Sequence, residues 1–259
     1  MLEKSILLCG GRGTRLNPQT LIHNKHLLPV YSDHGGAVPM IVYPLNTLIR
    51  SGSTKILIVS SQEHSGDIID FLGDGKKFGV DFTYKIQDHN DPLRPVGIAS
   101  ALNLAKDFVG NDRFAVHLGD NFYEDEFRYD FNNFETKNSQ AHVFLKDVYD
   151  PHRFGVAVVK DGKIIDIEEK PKNPKSKSAV TGLYLYTPHV FEIIKTLKPS
   201  DRGELEVSDI NLWYAKNNTM TFTNLRGYWR DMGTPSSMAE TMAHINKTGF
   251  KHTFSKDLQ

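Results

Sequence analysis

The sequence has a single cysteine, no surplus of either charge and no apolar run of membrane-spanning length. One cysteine forms no internal disulfide, which fits a reducing compartment. Cys9 has no basic neighbour to activate it, so a small buried side chain is expected rather than a nucleophile. Lysine plus arginine and aspartate plus glutamate stand at 31 each. That balance excludes a general basic field for nucleic acid, so an anionic ligand needs a local cationic site. The opening stretch MLEKSILLCGG carries too short an apolar run for a signal peptide, and no membrane contact is expected. A cytoplasmic location is the expectation. No repeat, low-complexity block or linker divides the 259 residues, a length that allows one large domain or two small ones.

What the chain does have is concentrated near its start. Residues 6–30 read ILLCGGRGTRLNPQTLIHNKHLLPV. The apolar run at 6–8 predicts a buried strand, followed at once by Gly10, Gly11 and Gly13. Glycines after a strand let the backbone approach a ligand and turn its N–H groups inward. Arg15 and Lys25 would add positive charge to the same oxygens of a phosphate. No GK[ST] follows, so this is not a Walker loop, and the G-x-G-x-x-G spacing of a dinucleotide site fails too. A tight strand-to-helix turn with a surface arginine is the competing reading.

Periodicity predicts helices over 40–50, 64–72 and 97–108, with strands over 55–60, 81–87 and 114–118. KILIVS holds a continuous apolar run, as in a strand buried on both faces. Such alternation predicts an α/β fold, a mostly parallel sheet with helices on both faces. The second half is strand-rich: 140–148, 155–159, 163–169 after an Asp161-Gly162 turn, 178–186 and 220–225. Helices are expected over 206–215 and 235–246, and the residues after Gly249 read as a polar, loosely held tail. The simplest division is one domain over 1–249. It is read as two parts, one over about 1–125 and one over about 126–249.

Two further residues stand out on position alone. Asp120 lies just past the strand over 114–118, where ligands bind in open α/β sheets; a turn or helix-capping aspartate is the alternative. Gln87 ends a strand and offers both a donor and an acceptor to a base edge.

GGRGTRLNPQT-x4-K-x-LLPV followed by PMIVYPL resembles the signature of the sugar-1-phosphate nucleotidylyltransferases. The likeness runs in order from residue 4 to about 245. It implies a Rossmann-like, mixed but mostly parallel sheet of the nucleotide-diphospho-sugar transferase type. By the same likeness Gly10, Gly11, Gly13, Thr14 and Arg15 bind the nucleotide, and Gln87 with Gly97 reads a pyrimidine. LGDN resembles the metal-binding motif, and GYWRDMGT the segment with a second metal-binding aspartate. Asp120 and Asp231 would then hold Mg²⁺, and nothing in the spacing itself pairs them. EEKP resembles the sugar-phosphate motif, which assigns the phosphate to Lys170 and sugar hydroxyls to Glu169; a solvated hairpin edge is the plain alternative. FGV resembles the segment in which the glycine, here Gly155, meets the sugar, with Phe154 in the place of the usual tyrosine. VTGLY matches a sugar-lining strand that contributes Val180 and Tyr184; a plain buried strand is the alternative, for Leu183 and Tyr184 above all. GELEVSD is read as a loop and capped helix that buttress the site. The chain departs from the usual pattern over 32–38 and 88–96, both longer than expected, and at Ser100, often a glutamine.

The resemblance implies transfer of a nucleotidyl group from a nucleoside triphosphate, dTTP first, to a sugar 1-phosphate, glucose 1-phosphate first. The attacking phosphate is already an anion, so aligning two anions and neutralising charge is the whole catalytic task. Arg15, Lys25, Asp120 and Asp231 would carry it. A homo-oligomer is expected. Three alternatives stay open: another triphosphate or sugar, an inactive nucleotide-sugar-binding regulator, and a cytidylyltransferase acting on a non-sugar phosphate.

Overall fold

The computed structural model of the protein describes residues 2–33, 36–88, 95–136 and 138–251. Much of the longer loop over 88–96 and nearly all of the expected tail lie outside them. In chain order the elements open with β1 (Lys4–Cys9), β2 (Pro29–Ser32), β3 (Gly36–Pro39), α1 (Val42–Ser51), β4 (Lys55–Ser61), α2 (Ser65–Leu72) and β5 (Asp81–Gln87). Next come α3 (Ile98–Asn103), α4 (Lys106–Val109), β6 (Phe114–Leu118), β7 (Asn121–Tyr123), α5 (Arg128–Thr136) and β8 (Ala141–Asp147). The chain then forms β9 (Gly155–Lys160), β10 (Lys163–Glu169), β11 (Ser178–Tyr186), α6 (Val190–Ile194) and α7 (Val207–Lys216). It closes with β12 (Met220–Asn224), β13 (Trp229–Asp231) and α8 (Pro235–Thr248).

Nine strands form one sheet in the order β10-β9-β11-β6-β1-β4-β5, with β8 beside β11 and β12 beside β8. The strands β1, β4, β5 and β6 are parallel, and β11 is antiparallel to β6. Followed through the pairings, only β10 and β11 run against the rest. The central strands alternate between two apolar layers. Leu7, Ile56, Ile58 and Ala115 face one, and Ile6, Leu57, Val59 and Val116 face the other. That double burial is why KILIVS has no polar alternation. The first layer packs α1 and α2, the second α3, α6 and α7.

The helix ends are set by local chemistry. Gly52 closes α1 at φ 113, its N–H reaching Ile49 O at 3.0 Å. Thr234 and Ser237 form a reciprocal capping box at the start of α8, with Pro235 in its first turn and Gly249 at φ 66 closing it. The helix expected over 97–108 is two short helices, because the backbone breaks at Leu104 and Ala105 between α3 and α4. Phe250 is not loosely held. Its ring lies 4.9 Å from Phe122 and 6.4 Å from Tyr43. No helix among the described residues is long and apolar enough to cross a membrane.

Two features position the cleft. The overhang of β11 runs past the end of β6, and β9 docks on it so that Gly155 faces Val180. The two-strand ribbon of β7 and β13 places Asp231 opposite Asn121.

Candidate active site

The carboxyl ends of β1, β5 and β6 open on one cleft of about 650 Å³. Every candidate residue lines it. The glycine-rich loop and Arg15 and Lys25 are there with Gln87, Gly97, Asp120, Gly155, Glu169, Lys170, Val180, Tyr184 and Asp231. The volume is that of a typical small-molecule site.

The glycine-rich loop leaves β1 and turns into a single 3₁₀ turn at Thr14–Leu16. Gly13 sits at φ 66, and a Cβ there would come within 3.0 Å of Lys25 and Thr20 side-chain atoms. The loop is tied from below, since the Thr20 hydroxyl donates to Gly13 O at 2.8 Å. The N–H groups of Gly11 and Gly13 have no partner among the described residues, and so remain available to a ligand. The Lys25 ammonium closes against this loop, 3.3 Å from where a Gly11 Cβ would stand.

Lys25 Nζ donates to Asp120 Oδ2 at 2.6 Å. The Asn121 amide donates to Asp120 Oδ1 at 2.8 Å. Burial works against the charge of Asp120, but Lys25 and these hydrogen bonds outweigh it and hold the carboxyl well below the usual range. Cys9 and His26 lie directly beneath; burial pushes the thiol up and the imidazole down to about 3, so neither is charged at neutral pH. The reading of Cys9 as a buried, unreactive side chain agrees with its complete burial.

Asp231 reaches the same place from the far end of the chain. The β7–β13 ribbon brings it in, and Met232 N–H donates to Asp120 O at 2.7 Å. Burial first, and then the Asp120 charge, raise its carboxyl above the ordinary value, with Arg153 and Arg15 opposing. The two carboxylates converge beside Gly233. A Cβ on that glycine would stand 3.1 Å from Asp231 Oδ2, 3.5 Å from Asp120 Oδ2 and 2.9 Å from Arg15 Nη2.

This space suits a small hard cation. Among the described residues no group of three or more His, Cys, Asp or Glu side chains is poised for a metal. Two carboxylates alone leave most of an octahedral shell for phosphate oxygens and water, as Mg²⁺ at a triphosphate requires.

Asn121 holds the floor together. Its Oδ1 accepts from Gly182 N–H at 3.1 Å and from Trp229 Nε1 at 2.8 Å while its amide supports Asp120. A Cβ on Gly182 would come within 2.6–2.8 Å of the Asn121 amide atoms. Gly182→Ala should therefore displace Asn121 and cost about 1–3 kcal/mol. Urea unfolding measures this, and stability equal to the wild type would refute the packing argument.

On one side of the cleft Gln87, buried at the end of β5, donates through Nε2 to Gly97 O at 3.4 Å. Gly97 lies at φ 114, and a Cβ there would strike Leu205 O at 2.6 Å. Residues 96–99 zip onto this segment through Leu205 N–H to Val96 O and Ala99 N–H to Leu205 O.

On the other side Gly155, Glu169 and Val180 form one row across β9, β10 and β11. Lys170 has φ 42, unusual for a residue with a side chain, and its N–H donates to Phe154 O at 3.0 Å. Its ammonium is 3.4 Å from Glu169 Oε1. Ser208 Oγ donates to Glu169 Oε2. Tyr184 is buried and stacks on Tyr186 with centroids 5.9 Å apart. In place of a tyrosine hydroxyl, the Phe154 ring packs edge-on against Trp229 at 5.1 Å.

Two arginines were not found by sequence reasoning. Arg202 lines the cleft and donates through Nη2 to both Glu206 oxygens at 2.8 Å and to Glu169 Oε1 at 3.5 Å. Arg153 donates through Nη2 to both oxygens of Asp231. The cap expected for the helix in 203–209 needs correction. Glu206, the residue before α7, makes no side-chain cap, because its carboxylate takes Ser200 and Arg202 instead. Glu204, Glu206 and Ser208 face the cleft.

Comparison with known proteins places the chain in a family. Residues 4–248 match the model of a family described as nucleotidyl transferase. A glucose-1-phosphate thymidylyltransferase of Neisseria meningitidis serogroup A is 40% identical over 246 residues, 93% of this chain and 82% of the relative. A crystal structure of a Bacillus anthracis protein assigned as a glucose-1-phosphate thymidylyltransferase, in complex with sucrose, superposes with a TM-score of 0.88. That pair is 48% identical, covering 97% of this chain and 98% of the other. A UDP-glucose pyrophosphorylase complexed with UDP-glucose shares the fold at a TM-score of 0.81 and 23% identity, covering 96% and 100% of the two chains. The chain belongs to the nucleotidyl transferase family.

Proposed function

We propose that this enzyme transfers a thymidylyl group from dTTP to glucose 1-phosphate, giving dTDP-glucose and pyrophosphate. The observation that carries the reading is the one cleft in which Arg15, Lys25, Asp120 and Asp231 meet the glycine-rich loop on one side and Lys170 on the other. The relatives named as glucose-1-phosphate thymidylyltransferases supply the choice of substrates.

In this account the loop N–H groups and Arg15 take the triphosphate. Arg15 forks onto the oxygens that leave as pyrophosphate. Lys25 neutralises charge around the α-phosphate, and Lys170 holds the glucose 1-phosphate oxygen in line with the α-phosphorus. Glu169, Gly155, Val180 and Tyr184 line the sugar. Asp120 and Asp231 would hold Mg²⁺, which neutralises triphosphate charge and polarises the α-phosphorus when bound. The nucleophile is already an anion, so no side chain has to remove a proton. A cytoplasmic location, where nucleoside triphosphates are supplied, goes with this reading.

The test is a pyrophosphate-release screen of the common triphosphates against a panel of sugar 1-phosphates. Turnover should be highest with dTTP and glucose 1-phosphate, with UTP second. Absence of release with every pair would favour the inactive regulator instead. Base choice is read by Gln87 with the Gly97 backbone. Gln87→Ala should lower the ratio of kcat/KM for dTTP over purine triphosphates by about tenfold, as loss of a hydrogen bond to a base edge does. A wild type that prefers GTP or ATP would overturn this assignment.

A further inference from the structure

Each of the two converging carboxylates already carries its own cation. Lys25 holds Asp120, and Arg153 holds Asp231, with Nη2 at 3.1 and 3.0 Å from the two oxygens. The two situations differ in one respect. Lys25 has the loop beside it, whereas Arg153 has a second anchor. Its Nη1 donates to Asp150 Oδ2 at 2.9 Å. Asp150 does not depend on Arg153 for its place, because Arg230 grips both of its oxygens at 2.9 and 2.8 Å. Arg230 in turn forms an ion pair with Glu240, its Nε 3.1 Å from Oε2. The guanidinium of Arg153 also lies over the Phe154 ring, 5.2 Å from its centroid. Arg153 is thus fastened on one side and placed on Asp231 by the other, at the wall of the cleft.

We propose that Arg153 is a placeholder cation: it neutralises Asp231 in the substrate-free enzyme and gives up that carboxylate when a divalent cation arrives. The inference rests on the reading of Asp120 and Asp231 as the ligands of that cation. A half-buried carboxylate close to a second carboxylate is costly to leave ionised without a counter-charge. Arg153 removes that cost and keeps the side chain aimed at the space beside Gly233. The same charge must then oppose a divalent cation at that spot. Asp150 gives the arm a fixed point from which to swing, so the guanidinium is not lost to solvent when it lets go.

A purely structural arginine and a placeholder predict opposite signs. If Arg153 only orients Asp231, neutral variants bind metal more weakly. If it competes, they bind metal more tightly. The probe is Mn²⁺ without nucleotide, followed by electron paramagnetic resonance, on the full chain as wild type, Arg153→Gln, Arg153→Met, Arg153→Lys and Asp120→Asn. Removing one positive charge a few ångströms from a divalent ion in a water-accessible cleft should tighten binding by about tenfold. Arg153→Gln should therefore bind Mn²⁺ about tenfold more tightly than the wild type. Arg153→Met, neutral and of similar length, should do the same and serves where glutamine impairs folding. Arg153→Lys, which keeps the charge, should stay near the wild type. Asp120→Asn should lose the site. Neutral variants that bind Mn²⁺ equally or more weakly would overturn the placeholder. Equal binding by wild type and Asp120→Asn would instead overturn the metal assignment on which it rests.

Discussion

Asp120→Asn should lower kcat by about a hundredfold or more, or ~2.7 kcal/mol of transition-state stabilisation, with the fold intact. The substitution keeps the shape of the side chain and the backbone bond from Met232 N–H to Asp120 O. It removes the negative charge that Lys25 faces at 2.6 Å and that a divalent cation would need. Asparagine can offer its oxygen to Lys25 or to Asn121 but not to both, so one of the two contacts becomes donor against donor. Lys25 then keeps its charge without its fixed direction. Chelation by EDTA should stop the wild type to a similar extent, and added Mg²⁺ should restore it. Steady-state kinetics with both substrates saturating, beside thermal unfolding, checks the prediction. A near-normal rate in a folded Asp120→Asn protein would contradict it.

The second large effect separates two cations that a count of charges treats alike. Arg15 stands by Asp120 and Asp231, with Nη2 2.9 Å from where a Gly233 Cβ would be. Lys170 stands across the cleft beside Glu169, held by its backbone N–H to Phe154 O. Lys170→Ala should mainly raise KM for glucose 1-phosphate, by about tenfold or more, because a charge-assisted contact to one substrate is lost. Arg15→Ala should mainly lower kcat, by about a hundredfold, because its charge matters most as pyrophosphate departs. Arg15→Lys should recover only part of that loss, since an ammonium lacks the two-pronged geometry. Each substrate is varied in turn. If both alanine variants weaken the same substrate equally, the two sides of the cleft do not serve separate substrates.

The sheet was legible where burial leaves its mark on consecutive residues. β1, β4 and β6 are covered on both faces, so their apolar runs show no polar alternation, with buried His117 the one polar residue inside β6. The glycine loop was legible because β1 must end before it, and the expected phosphate-facing residues all line the cleft. Short and polar elements left no such mark. β7 and β13 are three residues each, too short for any period, yet their pairing brings Asp231 to Asp120. In α5, RYDFNNFET, only Phe131 and Phe134 are buried, so the helical face is thin. Arg153 and Arg202 escaped notice for a related reason. An ion pair between residues far apart in sequence, such as Arg153 with Asp231, has no spacing that betrays it. In sequence both look like ordinary surface arginines beside a motif. Family likeness supplied the pairing of Asp120 with Asp231, which periodicity cannot.

The central claim is a single chemical event: the phosphate of glucose 1-phosphate attacks the α-phosphorus of dTTP. Phosphorus NMR of the enzyme with dTTP, glucose 1-phosphate and Mg²⁺ follows every phosphorus at once. The account predicts loss of both substrates together, with pyrophosphate and a sugar-linked nucleoside diphosphate appearing in equal amounts and no inorganic phosphate. Release of inorganic phosphate or of thymidine monophosphate without a nucleotide sugar, or no reaction at all, would contradict it.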